Sequence, residues 1–140
     1  MKIHDGPRRA NLILVALLLV VAFDVAASAQ SDTTVKRQLN GSTRVHGEVG
    51  GEAHDAYVIY ARKGQKLTVR LAWIAAGENR AEFSVSRSAN FYESTPVKFG
   101  RESYAGDRWS GTIPRSGNYY IYVVAHPSAD YTLKVTLNSH

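Results

Sequence analysis

Ser116-Gly117-Asn118-Tyr119-Tyr120-Ile121-Tyr122-Val123-Val124-Ala125 reads as a turn that launches a strand. Before it, Trp109-Ser110-Gly111-Thr112-Ile113-Pro114 reads as a strand running into that turn. After it, Tyr131-Thr132-Leu133-Lys134-Val135-Thr136-Leu137 alternates apolar and polar side chains. Successive side chains of a strand point to opposite faces, so Tyr131, Leu133, Val135 and Leu137 share one buried face. The same period turns Tyr119, Ile121 and Val123 inward and Tyr120, Tyr122 and Val124 outward.

Similar signals extend outward from this segment. Residues 81–87 read as a strand with Phe83 and Val85 inward. Residues 88–104 are the least regular part, where Pro96 argues against a central strand and leaves Val97 and Phe99 to an edge. Residues 57–61 and 67–73 are expected to form a hairpin around 62–65, with Gly64 supplying the positive φ of the turn. Leu67, Val69, Leu71 and Trp73 share the buried face of its second arm. Residues 35–39 and 43–49 read as short strands on either side of the turn dipeptide Asn40-Gly41. Beyond the first residues no window shows a 3.6-residue period. The fold class is therefore all-β, an antiparallel β-sandwich of seven to eight strands, with an up-and-down barrel as the competitor that strand spacing does not separate.

Residues 1–29 have the three parts of a secretory signal: basic Lys2, Arg8 and Arg9, the apolar run 12–23, and Ala27-Ser28-Ala29 before Gln30. The apolar run is about 12 residues long and ends at Asp24, short of the about 20 needed to span a bilayer, so the chain is expected to be exported and not membrane-embedded. Residues 30–140 then form the single β-sandwich domain. The chain contains no cysteine, which excludes a disulfide framework, a lipoprotein anchor and a thiol nucleophile. Setting aside the leader's three basic and two acidic residues leaves 14 Lys+Arg against ten Asp+Glu, a net charge of +4. The basic residues are spread singly along the sequence, unlike the clustered charge of nucleic-acid-binding proteins, so no nucleic-acid partner is expected.

The densest polar stretch is His46-Gly47-Glu48-Val49-Gly50-Gly51-Glu52-Ala53-His54-Asp55. His46 with Glu48, and His54 with Asp55, have the donor chemistry for a metal, but the spacing matches no metal signature and the stretch reads as a solvated turn. Asp55 is expected to fix the start of the next strand by bonding nearby backbone amides. Ser116 lacks a hydrolase nucleophile elbow, and Glu78, Glu82, Glu93 and Glu102 sit in no stretch that suggests a cleft floor, so no enzyme, cofactor or metal is expected. Eight tyrosines and two tryptophans exceed what one small core needs. Tyr120 and Tyr122, on the outer face, are read either as interface residues or simply as residues of high strand propensity.

Taken together, three motifs resemble those of the periplasmic inhibitors of goose-type lysozyme, within the wider pre-peptidase C-terminal-like β-sandwich group. They are Asp55-Ala56-Tyr57 with Ala61-Arg62-Lys63-Gly64-Gln65-Lys66-Leu67-Thr68-Val69, then the stretch from Gly106 to Tyr119, then Asp130-Tyr131-Thr132-Leu133-Lys134-Val135. The resemblance implies a periplasmic protein whose Ser116-Gly117 turn, with Tyr119 nearby, enters the active-site cleft of a goose-type lysozyme and so protects peptidoglycan. Arg115 and Asn118 belong to the same turn. A Ser hydroxyl donates to a catalytic carboxylate, and Arg115 would add a charge-assisted bond. The inhibitors carry a longer, Arg-bearing loop between their last two strands, where this chain has only His126-Pro127-Ser128-Ala129-Asp130; either His126 and its neighbours substitute for that contact, or the chain is a relative that lost, or never had, tight inhibition. The alternative is a non-inhibitory module of the same group that binds carbohydrate or protein, with peptidoglycan or another envelope polymer as its partner.

Overall fold

The computed structural model describes residues 35–139; the expected signal segment 1–29 lies outside them. Among the described residues nine strands form two sheets: β1 (Val35–Leu39), β2 (Thr43–Gly50), β3 (Asp55–Ala61), β4 (Lys66–Trp73), β5 (Arg80–Ser86), β6 (Arg101–Glu102), β7 (Arg108–Thr112), β8 (Gly117–His126) and β9 (Ser128–Asn138). One sheet has the order β1-β3-β8-β5 and the other β2-β9-β4-β7-β6. The all-β sandwich read from the sequence is the fold, with the two-residue β6 added at a sheet edge and one parallel pair, β1 with β3.

The chain changes sheet at every step except between β6 and β7, the one hairpin among the described residues. The expected hairpin of 57–61 with 67–73 is therefore not formed: β3 lies in the four-stranded sheet and β4 in the five-stranded one. Main-chain bonds at the connection explain this. Gly64 N–H donates to Ile113 O at 2.8 Å and Ile113 N–H donates to Gln65 O at 2.8 Å, which ties the turn to the end of β7. Asn40-Gly41 likewise carries the chain across the sandwich, leaving β1 to lie beside β3 in the same direction.

The inner faces follow the period-2 pattern. Leu67, Val69 and Leu71 of β4, Tyr119, Ile121 and Val123 of β8, and Tyr131, Leu133 and Val135 of β9 all belong to one core between the sheets. Burying such side chains is the main favourable term in a domain with no disulfide.

One polar network crosses that core. The Tyr57 and Tyr131 hydroxyls bond each other, Tyr131 donates to Asp55 Oδ2, and Lys36 Nζ reaches the same carboxylate oxygen at 2.9 Å. Asp55 thus fixes its strand through side chains of the opposite sheet and of β1, not through the backbone amides expected of it. Gly47 makes the crossing feasible, because a Cβ there would come within 2.5 Å of the Tyr131 hydroxyl.

Residues 88–100 wrap around the β5 edge. Phe91 lies over the outer face of the four-stranded sheet, its ring 5.3 Å from that of Tyr122. Pro96 then bridges to Ser86, and Val97 N–H donates to Val85 O at 2.8 Å. Phe99 finally enters the sandwich, with its ring 5.6 Å from that of Trp109 and 6.1 Å from that of Tyr119. Pro96 thus sits at an edge, where its missing N–H costs no ladder bond.

Candidate functional site

The turn between β7 and β8 projects from one end of the sandwich, with Pro114, Arg115 and Ser116 exposed. Its two legs are anchored. Ile113, fully buried, plugs the core beneath it. On the other leg the Tyr119 side chain is fully buried in the core, yet its hydroxyl reaches back and donates to Arg115 O at 2.7 Å. Ser116 Oγ accepts from Lys63 N–H at 2.8 Å, which docks the turn against the 62–65 connection. A hydroxyl has one hydrogen to donate besides its acceptor lone pairs, so Ser116 keeps a donor for an outside group.

Arg87, the residue after β5, completes the support. Its guanidinium carbon lies 4.7 Å from the centroid of the Tyr119 ring. One nitrogen, Nη1, donates to Arg115 O at 3.3 Å and to the Tyr119 hydroxyl at 3.1 Å. Gly117 has φ +153, a conformation essentially reserved for glycine, and a Cβ there would meet Arg87 Nη2 at 2.8 Å. Nothing in the local sequence marks Arg87. It reaches the turn only because β5 pairs with β8, with Ser86 opposite Tyr120.

Beside the turn lies an open groove of about 630 Å³ between residues 95–99 and 114–115, lined in part by Arg87, Lys98, Arg115 and Tyr119. Arg62 and Lys63 are exposed on the adjoining connection. Basic residues that are scattered along the sequence are thus gathered by the fold at one end.

The other residues expected at the site are dispersed. Asn118 is exposed at the start of β8, opposite the exposed Tyr60 of β3. Tyr120 is half-buried on the outer face. Tyr122 points to that same face but is buried, because Phe91 and His54 cover it and its hydroxyl donates to Ser88 O at 2.6 Å. Neither Tyr119 nor Tyr122 therefore presents a side chain at the surface, as an interface role for Tyr122 would require. His126 closes the far end of β8, nine residues from Gly117 and so about 30 Å away at strand rise. It is exposed, but it does not join the turn. Only Pro127 separates β8 from β9, so no loop projects between these two strands.

The polar stretch 46–55 gathers no metal donors: among the described residues no three His, Asp or Glu side chains approach one point. His46 Nδ1 shares a hydrogen bond with the Thr132 hydroxyl, and His54 stacks on Phe91 with ring centroids 4.1 Å apart. At the end of the sandwich away from the turn, His46, Trp73, Asp130 and Thr132 line part of a smaller depression of about 440 Å³.

No family model and no curated protein sequence matches the chain. Solved structures do. PliG of Aeromonas hydrophila, a periplasmic lysozyme inhibitor of g-type lysozyme, superposes with a TM-score of 0.60 at 24% identity, over 76% of this chain and 96% of its own. PliG of Salmonella Typhimurium, of the same description, gives 0.53 at 22% identity, over 75% and 100%. The pre-peptidase C-terminal domain of a Bacillus anthracis collagenase gives 0.51 at 15% identity, over 74% and 98%. The two-sheet fold of this chain is the one shared by periplasmic inhibitors of g-type lysozyme and by a pre-peptidase C-terminal domain.

Proposed function

We propose that the protein is a periplasmic inhibitor of a goose-type lysozyme, exported by a cleaved signal, that plugs the enzyme's cleft with the Arg115-Ser116-Gly117-Asn118 turn. The observation that carries this reading is the turn itself, exposed at its tip and anchored beneath by Tyr119 and Arg87. An inserted loop binds tightly when it is ordered before it binds, because less conformational entropy is then lost on contact. Ser116 offers a donor and Arg115 a cation at the tip, the complement of a catalytic carboxylate. The fold shared with the PliG proteins supports the same reading. Tyr119 acts from within, as the prop of the turn, and Tyr122 holds the outer face together. On this reading the protein is a binding protein and not an enzyme.

The test is a titration of the purified protein against goose-type, chicken-type and invertebrate-type lysozymes. Loss of goose-type activity is the expected outcome, and full activity at micromolar protein would reject the reading. Tyr119→Phe removes the bond to Arg115 O while keeping the buried ring. It should weaken inhibition about tenfold at a stability cost of about 1 kcal/mol. Tyr119→Ala is unsuitable, because emptying that buried site would cost about 3–5 kcal/mol and confound binding with unfolding.

A second reading, a non-inhibitory module that binds envelope carbohydrate, draws on the depression that includes His46, Trp73, Asp130 and Thr132. An aromatic ring beside mixed donors and acceptors suits a sugar. Binding to isolated peptidoglycan without lysozyme, lost in Trp73→Ala, would favour it.

A further inference from the structure

We infer that the groove beside the turn is an anion-binding site that takes a carboxylate-bearing peptide segment of a protein partner. Identifying that partner with the enzyme whose cleft receives the turn rests on the reading above; the groove's own chemistry does not. Three cations line the groove, Arg87, Lys98 and Arg115, and no Asp, Glu, Asn or Gln does. The two ion pairs among the described residues, Lys36–Asp55 and Arg80–Glu82, involve none of the three. Like charges gathered around a concavity without a counter-charge repel one another and focus a positive potential into it. An incoming carboxylate relieves that repulsion.

Arg87 is already fixed for the purpose. Its stacking on Tyr119 and its Nη1 bonds to Arg115 O and the Tyr119 hydroxyl hold the guanidinium in place. Nη2 and Nε are left to form the two-pronged bond that a carboxylate accepts. Pro96, Val97, Phe99 and Pro114 supply an apolar wall for the aliphatic part of a Glu or Asp side chain. The same composition, three cations with no carboxylate or amide side chain, suits an anion better than a neutral sugar.

The experiment is a titration of the protein with an N-acetylated, amidated tri-glutamate peptide, followed through the Arg87 Nε–H resonance. Tri-glutamine serves as the uncharged control and tri-galacturonate as the anionic glycan. Tri-glutamate should bind, shift that resonance and weaken with added salt, whereas tri-glutamine should not bind. Lys98→Glu, on the segment opposite the turn, should weaken tri-glutamate binding about tenfold. Arg87→Lys keeps the charge but loses the two-pronged geometry, and should weaken it less. The inference is overturned if tri-glutamate fails to bind, if the two peptides bind alike, or if Lys98→Glu binds as the parent does. Tighter binding of tri-galacturonate would also overturn it and assign the groove to an acidic glycan. Tri-glutamate binding without inhibition of any lysozyme would sink the cleft-plugging reading alone. Inhibition sensitive to Ser116 but without tri-glutamate binding would sink the groove alone.

Discussion

The two ends of the sandwich use the same residue types to opposite effect. At one end Tyr57 and Tyr131 turn their hydroxyls inward to each other and to Asp55, which also holds Lys36. Each of these four groups has a partner from another strand, and the result is cohesion between sheets. At the other end Tyr119 turns its hydroxyl outward to the turn, and Arg87 stacks on its ring. The network there stops at Arg115 and Ser116 with a cation and a donor facing solvent. Closing a polar network on itself stabilises a fold, while leaving it open at the surface holds binding groups in place. Stability and inhibition should therefore respond to different substitutions.

The largest effect is expected from Asp55→Ala. It leaves the Tyr57–Tyr131 hydroxyl pair one acceptor short and removes the partner of Lys36, costing about 2–3 kcal/mol. Urea unfolding should show this cost, while lysozyme inhibition measured below the transition should equal that of the parent. A comparable loss of inhibition would mean that the two ends are coupled, and the comparison would fail.

The same end sets the alkaline limit. Burial, then the bond to Asp55, pushes the Tyr131 phenol well above its usual range, and the bond to Asp55 raises Lys36. Both groups hold their protons more tightly folded than unfolded. Their contribution is therefore complete below the unfolded values, about 10 for each, and is lost as pH rises beyond them. Stability measured against pH should fall from about pH 10 upward. Tyr131→Phe, which cannot ionise, should flatten that fall even though it lowers stability at neutral pH.

Gly117→Ala should act at the open end only. The side chain would enter a backbone conformation that L residues avoid and push Arg87 Nη2 away from a 2.8 Å approach. Strain of this kind costs about 1–3 kcal/mol. The Arg87 shift should also reduce inhibition, so this variant would be the counterpart of Asp55→Ala. If Gly117→Ala unfolds the protein more easily yet inhibits normally, the prop beneath the turn is irrelevant to binding.

How much of this was legible beforehand depends on what each feature rests on. Faces within a strand were legible, because alternation is local: Tyr119, Ile121 and Val123 of β8 are core as the pattern requires. Sheet membership was not. Residues 57–61 and 67–73 around Gly64 look like a hairpin, and only the main-chain bonds to Ile113 reveal the crossing. Outer-face exposure failed at Tyr122 for a similar reason, since its cover, Phe91, arrives from an irregular segment with no periodic signal. At the site, the Pro-Arg-Ser-Gly-Asn run announces a turn by composition alone. Arg87 and Lys98 carry no such signal, because their place depends on β5 pairing with β8 and on the wrap that follows.

Ser116→Ala is the smallest and most discriminating change. Ser116 is exposed, and its oxygen accepts a single bond, from Lys63 N–H. In solvent that N–H is readily satisfied by water, so stability should change by no more than about 0.5 kcal/mol. Inside a partner's cleft no such water would replace it, and a carboxylate facing the lost hydroxyl would go without its donor. Hydrogen bonds to charged groups contribute about 1.5–3 kcal/mol, so inhibition should weaken at least about tenfold while the unfolding curve barely moves. Equal potency in Ser116→Ala, with Gly117→Ala still impaired, would place the contact on the backbone and on Arg115 and leave the serine only its bond to Lys63.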